Sequence, residues 1–421
     1  MRPEAVTLSD ISPAQLARAI ADLRGAQLRL AARPRREIVG ALSDVVDAWL
    51  EPDSPWLARA EAWLPRATGL SPAMIRHALP TMLQPLRAPA LDELLAAEVG
   101  NRRGPPLILH VLPGNLPGLA AIPTVLSLAM GSAALLKAGR GDRVFPALFA
   151  ASIAARDAEL GAGVAACYWP GGARACEDVA LAAADLVVAS GDDASVAALA
   201  ERTRGRFIGY GHRVSFAVVA GEVAADPAAR ERAADALAAD VALWDQRGCL
   251  SPQLCFVEGD LDAARAFGAA VAEALGPLTR RWPPGHASGA ERLALRRFRE
   301  EAEWAGLSGE PATIFALAGE ADGTVVVEST AQFRPTPLWR SLRVMPVATL
   351  TELAGLLAPV ASLLEAAGLA AAPPRWPALA AALAAAGVHR VCELGSMQHP
   401  PLTWWQGGRP RAADWIAEPS T

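Results

Sequence analysis

The polar and apolar positions divide the chain into regimes of different period. Up to about residue 100 apolar residues recur at helical spacing, as at Ile38, Leu42, Val45, Val46 and Trp49 between Arg36 and Leu50. Ser9-Asp10-Ile-Ser-Pro13 and Ser71-Pro72 read as helix starts, with serine at the cap and proline in the first turn. This region carries no evident chemistry and is expected to pack on, and cover, the α/β core.

From Leu107 to Leu136 no side chain carries a formal charge. The run opens on Leu107–Leu112, suited to a buried strand. It breaks at Pro113-Gly114-Asn115 and again at Leu116-Pro117-Gly118, then resumes as a helical stretch from about Leu119 to Met130. Gly131 ends that stretch, and Ala133–Lys137 predicts a second buried strand. A membrane helix needs about 20 apolar residues, but Pro113, Pro117 and Pro123 with Gly114, Gly118 and Gly131 interrupt this run. A buried βαβ unit is the better reading, and Asn115 then sits in the turn after the first strand, where open α/β sheets place ligands.

The theme repeats. Residues 144–155 predict a helix, Val164–Trp169 a strand ended by Pro170-Gly171-Gly172, and Asp185–Ser190 a strand running through Gly191 into a helix. Arg206–Gly211 and the strand Val214–Val219 come next. Such alternation means a doubly wound parallel sheet, although no G-x-G-x-x-G marks its opening turn. Residues 230–248 read as helical as far as Gln246-Arg247-Gly248, and Cys249 opens a turn before a strand ending at Val257. Residues 260–320 are mostly helical, with a loop at Trp282–His286. Gly323–Glu328 and Ser341–Pro346 predict strands, Leu350–Ala367 a helix and Gly387–Cys392 a last strand. The expected division is a helical region 1–100, a cofactor-binding domain 101–240, a catalytic domain 241–395 and an aromatic tail 396–421.

Composition narrows the classes. With 52% hydrophobic and 20% charged residues the chain is globular. A net charge of −5 and no basic block interleaved with aromatics argue against nucleic acid as a partner. Met1–Ala5 is polar, with no secretory apolar core. The five cysteines keep no metal-ligand or disulfide spacing, which suggests a reducing cytoplasm and one reactive thiol.

Cys249 is the sharpest candidate: it follows Gly248 and precedes a rigid Ser-Pro, and a loop thiol is nucleophilic when neighbouring dipoles lower its pKa. Most free cysteines are inert and buried, and Cys255 in the next strand reads as core. Asn115 suits donation to an oxyanion, or satisfies its own turn. Lys137, at a strand end, suits a ribose or phosphate, or is simply solvated. His110 and His212 are possible bases, though isolated histidines are usually structural. There is no Ser/His/Asp arrangement and no metal cluster.

Taken in order, Pro113-Gly-Asn-Leu-Pro117, Leu136-Lys137, Pro170-Gly-Gly172, Ser190-Gly191, Gly209-Tyr-Gly211 and Gln246-Arg-Gly-Cys249 resemble the aldehyde dehydrogenase superfamily. Cys249-Leu-Ser-Pro-Gln253, with Gly211-His-Arg-Val-Ser215-Phe upstream and Trp405-Gln-Gly-Gly408 near the end, is more closely similar to its LuxC-type acyl-CoA reductases. The resemblance, over about residues 100–410, implies an α/β aldehyde dehydrogenase-like fold and reduction of a fatty acyl thioester to an aldehyde. It implies Cys249 as nucleophile and Asn115 as oxyanion donor, with Lys137, Arg140, Gly171, Ser190, Gly191 and Gly211 on the cofactor. It also implies an acyl-CoA or acyl-protein substrate, a homo-oligomer, and an acyl-protein synthetase as a candidate partner.

Two departures sharpen this. Gly209 stands where hydrolytic relatives carry a water-activating glutamate, so water attack on a thioacyl-enzyme should be poor. Arg140, with Arg143 beyond, stands where many NAD-using relatives hold a ribose with glutamate, and a cation suits a 2′-phosphate. The expected cofactor is therefore NADPH, with NADH the alternative. A free-aldehyde dehydrogenase and a non-reducing acyl carrier or acyltransferase are the competing functions.

Overall fold

The computed structural model describes residues 7–308, 312–319 and 321–416; Met1–Ala5 and residues 417–421 lie outside them. The chain opens with helices α1 (Pro13–Ala32), α2 (Arg35–Leu50), α3 (Pro55–Thr68), α4 (Pro72–Leu83) and α5 (Ala88–Glu98). Ser12 and Ser71 cap α1 and α4, each followed by proline in the first turn. The apolar stripe of α2 buries Ile38, Leu42 and Trp49. Trp49 Nε1 donates to Ser152 Oγ at 2.9 Å, and its ring lies against Phe145 and Phe149, so the N-terminal helices are a covering layer on the first sheet.

That sheet is built by β1 (Leu107–Val111), α6 (Ala121–Ala129), β2 (Ala133–Lys137), α7 (Phe145–Arg156), α8 (Ala158–Ala162), β3 (Val164–Cys167), α9 (Arg174–Ala183), β4 (Leu186–Ser190), α10 (Asp193–Arg202) and β5 (Arg206–Tyr210). Its order is β3-β2-β1-β4-β5, all parallel. The winding reverses at β1, which makes the ends of β1 and β4 the switch point where such sheets take ligands.

The second sheet is built by β6 (Val214–Val219), α11 (Gly221–Ala225), α12 (Pro227–Ala242), β7 (Pro252–Glu258), α13 (Leu261–Arg281), α14 (Gly289–Leu307), β8 (Ala312–Ala316), β9 (Thr324–Glu328), β10 (Ser341–Val347), α15 (Leu353–Leu357), β11 (Leu364–Ala370), α16 (Trp376–Ala385) and β12 (Arg390–Glu393). Its order is β12-β11-β6-β7-β10-β9-β8, and only β8 runs antiparallel to its neighbour. Among the described residues all strands belong to these two sheets, and none forms a separate bridging element. No helix there is long and apolar enough to cross a membrane.

Three segments differ from the sequence reading. β6 joins the second sheet, so the chain changes sheets between Tyr210 and Val214, ahead of residue 240. A strand buried on both faces reads the same in either sheet. Helix α12 stops at Ala242 instead of running to Gln246. Leu350–Ala367 is not one helix: short helical turns end at Leu363, and β11 begins at Leu364. Leu-Glu-Ala-Ala-Gly-Leu-Ala has helical composition, but insertion between β6 and β12 overrides it.

After α12 the backbone enters the left-handed region at Trp244, Asp245 and Gln246 (φ 59°, 51° and 63°), and again at Leu338, Trp339 and Arg340 (φ 68°, 56° and 60°). Each such residue costs about 1–2 kcal/mol, and the two tripeptides hold one another in place. Arg340 Nη2 meets Asp245 Oδ1 at 2.8 Å with both side chains wholly buried, and Arg340 also donates to Thr279 Oγ1 and Trp282 O. Gln246 Nε2 donates to Pro252 O and Ser341 O, both at 2.7 Å, and its Oε1 accepts from Ser341 N–H. Replacing Arg340 by Met strands the Asp245 charge and should lower stability by about 3–5 kcal/mol. Urea unfolding checks this, and Asp245→Leu/Arg340→Met should recover part of the loss.

Candidate functional site

The carboxyl end of β1 faces the amino ends of β6, β7 and β11, and residues distant in sequence meet there. Asn115, in the turn after β1, donates Nδ2–H to the Arg247 carbonyl at 2.8 Å. Gly248 packs on Leu116 of the same turn, where a Cβ would lie 3.4 Å from Leu116 Cδ1. The Cys249 carbonyl accepts from Ser215 Oγ of β6 at 2.6 Å, and Ser251 Oγ accepts from Gln398 Nε2 at 2.8 Å. The cysteine turn is thus held from β1, β6 and the C-terminal loop together.

Cys249 is exposed as a residue, while its sulfur is buried. That burial, with Glu365 beside it, pushes the thiol up to about 12, against the pull of its own backbone N–H and of Arg411 and Arg213. Cys255 is fully buried in β7, as expected.

Several residues around the thiol were not legible as site residues in the sequence. Glu365 of β11 is 1% exposed, and its Oε1 accepts from Gly407 N–H at 2.9 Å. Arg213 Nε and His389 Nδ1 lie 3.5 and 3.9 Å from its Oε2. Burial pushes this carboxyl above the usual range, while Gly407 N–H, Arg213 and Arg411 pull it down. Arg411 is buried, donates Nε–H to Trp404 O at 3.0 Å and faces the Trp404 ring. The only advance signal was the Trp-rich tail, which meets Glu365 through Gly407 and Arg411 through Trp404. Gly407 also packs on Tyr210, 3.7 Å from where its Cβ would be.

On the other side of β1 a cavity of about 370 Å³ opens over the first sheet, lined by Leu109, Lys137, Gly171, Gly172, Arg174 and Ser195 among others. It brings together Lys137 and Gly171 of the sequence-derived set. Burial lowers the Lys137 ammonium pKa, with Arg143 adding to that and Glu177 opposing it. Arg140 is exposed beyond β2 and, among the described residues, has no ion-pair partner. Ser190 and Gly191 end β4, where Gly191 N–H bonds Tyr210 O. Gly211 packs against the Asp193 carboxylate, which accepts from His212 N–H at 2.7 Å. Arg140, Ser190, Gly191 and Gly211 do not line this cavity.

Of the two candidate histidines, His110 takes a structural place. His110 is buried, its Nε2 within 2.8 Å of Ser127 Oγ, and burial lowers it to about 3. His212 is exposed. At Gly209 a Cβ would lie 2.5 Å from Val196 Cγ1 and 2.9 Å from Phe207 Cε1, so a side chain there would have to displace both.

The model of the acyl-CoA reductase (LuxC) family matches residues 30–410. This chain belongs to the LuxC acyl-CoA reductase family. Membership makes it an oxidoreductase of aldehyde chemistry. Among solved structures it is similar to the NADP-dependent glyceraldehyde-3-phosphate dehydrogenase of Bacillus halodurans complexed with NADP. The identity there is 15%, with 97% of this chain and 90% of the other covered and a TM-score of 0.76. It is also similar to the NAD-dependent benzaldehyde dehydrogenase of Corynebacterium glutamicum (15% identity, 93% and 89% covered, TM-score 0.70). A third is a mutant of aldehyde dehydrogenase C from Pseudomonas syringae complexed with NAD+ and octanal (14% identity, 91% and 82% covered, TM-score 0.70). At these identities the likeness shows the fold, which is that of the aldehyde dehydrogenases. No curated protein sequence matches.

In this LuxC-family chain the turn carrying Asn115 and the loop after Lys137 touch backbone to backbone. A Cβ on Gly139 would lie 2.6 Å from Gly114 Cα, and one on Gly114 would lie 2.7 Å from Gly141 N. Gly139→Ala should therefore push the two loops apart and cost about 1–3 kcal/mol. Urea unfolding should show the lower midpoint.

Proposed function

We propose that this protein is a cytoplasmic, NADPH-dependent acyl-CoA reductase that works through a Cys249 thioester. The observation that carries this is the Asn115–Arg247 hydrogen bond, which fixes an amide donor from one sheet beside the cysteine turn of the other. An amide nitrogen has two hydrogens. One is held by the Arg247 carbonyl, which sets the orientation, and the second is left for the oxyanion, alongside the Cys249 backbone N–H.

Cys249 Sγ attacks the thioester carbonyl, and the carbon–sulfur bond to CoA breaks. Val196 fills the space at Gly209, so no carboxylate there activates water, and the acyl group is kept for reduction. The cavity over the first sheet fits a nicotinamide dinucleotide: it has a lysine at its floor, the open backbone of Gly171 and the exposed guanidinium of Arg174. Lys137 and Gly171, which line it, would hold the cofactor there, and Ser190, Gly191 and Gly211, outside the cavity, would meet the parts that extend beyond it, with Arg140 toward a 2′-phosphate. When bound, it supplies the hydride that converts the acyl group to an aldehyde. A free-aldehyde dehydrogenase lacks its water-activating group here. A non-reducing acyl carrier would need no cofactor cavity. The acyl donor is CoA or an acyl-protein delivered by a synthetase, and the protein works as a homo-oligomer.

Purified protein with NADPH and a series of acyl-CoAs should oxidise the cofactor and release trapped aldehyde. Cys249→Ala should abolish this and keep NADPH binding, whereas continued reduction would overturn the mechanism. Asn115→Ala should lose on the order of 10²–10³ in rate. Arg140→Glu should shift the ratio of NADPH to NADH efficiency toward NADH by about tenfold or more, equivalent to ~1.4 kcal/mol, measured as kcat/KM with each cofactor.

A further inference from the structure

We propose that Glu365 accepts the proton of the Cys249 thiol, doing from β11 a task for which position 209 has no side chain. This rests on Cys249 being the nucleophile. A bulge aims the carboxylate. β11 pairs Leu364 with Val214 and Ala367 with Phe216, so Glu365 and Ala366 together oppose the single residue Ser215. Bulges of this kind re-aim side chains beside active sites. Ser215 Oγ donates to the Cys249 carbonyl and accepts from Ala366 N–H at 3.2 Å, so one hydroxyl joins the nucleophile to the bulge. Leu250, next to Cys249 in sequence, shares a buried apolar cluster with Ala366.

The carboxylate itself is incomplete. Gly407 N–H satisfies Oε1, but the buried Oε2 has no hydrogen-bond partner, although Arg213 and His389 are near. A buried acceptor without a hydrogen bond costs free energy, and with Arg213 only an ion-pair neighbour at 3.5 Å, Oε2 keeps a lone pair free to take a proton. The groups facing Glu365 are Arg213 from the β5–β6 link, His389 ahead of β12, Tyr210 of β5, Arg411 of the tail and Cys249.

A standing negative charge beside a thiol opposes a standing thiolate. It suits proton transfer, because the carboxylate becomes neutral as the sulfur becomes charged, and Arg411 and Arg213 remain to hold the sulfur. The Sγ–H bond breaks and its proton goes to Oε2. The sulfur electron pair forms the bond to the acyl carbon, and the bond from that carbon to the CoA sulfur breaks. The leaving thiolate then takes the proton from Glu365, which restores the carboxylate and releases CoA as its thiol.

The test measures alkylation of Cys249 by iodoacetamide, and its acylation by acyl-CoA without cofactor, across pH in the full-length protein. Glu365→Gln keeps the shape and an acceptor for Gly407. It should slow both reactions at neutral pH by about 10²–10⁴-fold, and the loss should shrink as pH approaches the ionisation of the thiol. An electrostatic role alone gives the opposite sign: removing the charge eases thiol ionisation, so E365Q reacting as fast or faster at neutral pH overturns the proposal. Release of free acid by the wild type that disappears in E365Q would assign the carboxylate to water and also overturn it. Should E365Q fail to fold, the wild-type profile decides. A limb that rises through carboxyl ionisation and levels off supports the proposal, and a single tenfold-per-unit slope up to thiol ionisation overturns it. Because alkylation needs neither acyl-CoA nor cofactor, a protein without reductase activity still tests Glu365.

Discussion

The site depends on a buried contact between two left-handed tripeptides. The chain must leave α12 and reverse before β7, and it does so through three non-glycine residues in a conformation that costs free energy at each step. The Asp245–Arg340 ion pair and the three hydrogen bonds of Gln246 offset that cost and tie the turn to β7 and β10. A buried pair that merely stabilised the core could be replaced by apolar residues at little loss. Here the pair also specifies a backbone path, and Cys249 emerges four residues beyond Asp245 on the course that path sets.

Around the thiol the electrostatics are balanced rather than uniformly activating. Burial and Glu365 push the Cys249 thiol up, while Arg411 and Arg213 pull it down. Nearby, the packing of Val196 against Gly209 removes the space in which a carboxylate could direct water. Asn115 comes from the opposite sheet, where the mutual contact of Gly114, Gly139 and Gly141 holds its turn against the loop that comes after Lys137. The two halves of the proposed chemistry are joined through backbone contacts that admit no side chains.

Much of this was legible in the sequence where the determinants are local. Serine caps followed by proline fixed the starts of α1 and α4, and the uncharged run broken at Pro113-Gly114-Asn115 specified β1, α6 and β2. The ordered series of turns from Pro113-Gly-Asn-Leu-Pro117 to Cys249-Leu-Ser-Pro-Gln253, along alternating strands and helices, was enough to recognise the family. Each of these signals lies within one turn, one cap or one strand, and needs no distant partner to be read.

Tertiary structure alone decided the rest. Leu364–Ala370 has the composition of a helix and became a strand because β6 and β12 offered backbone hydrogen bonds on both sides. Val214–Val219 fits either sheet by pattern, and its neighbours chose the second. The left-handed path at Trp244–Gln246 depends on Arg340 and Ser341, 95 residues downstream of their partners. The bulge at Glu365 and Ala366 is tied to Ser215 across 151 residues. Sequence determined the elements whose hydrogen bonds close locally, and tertiary structure determined every feature whose energetic cost is met by a contact from a distant part of the chain.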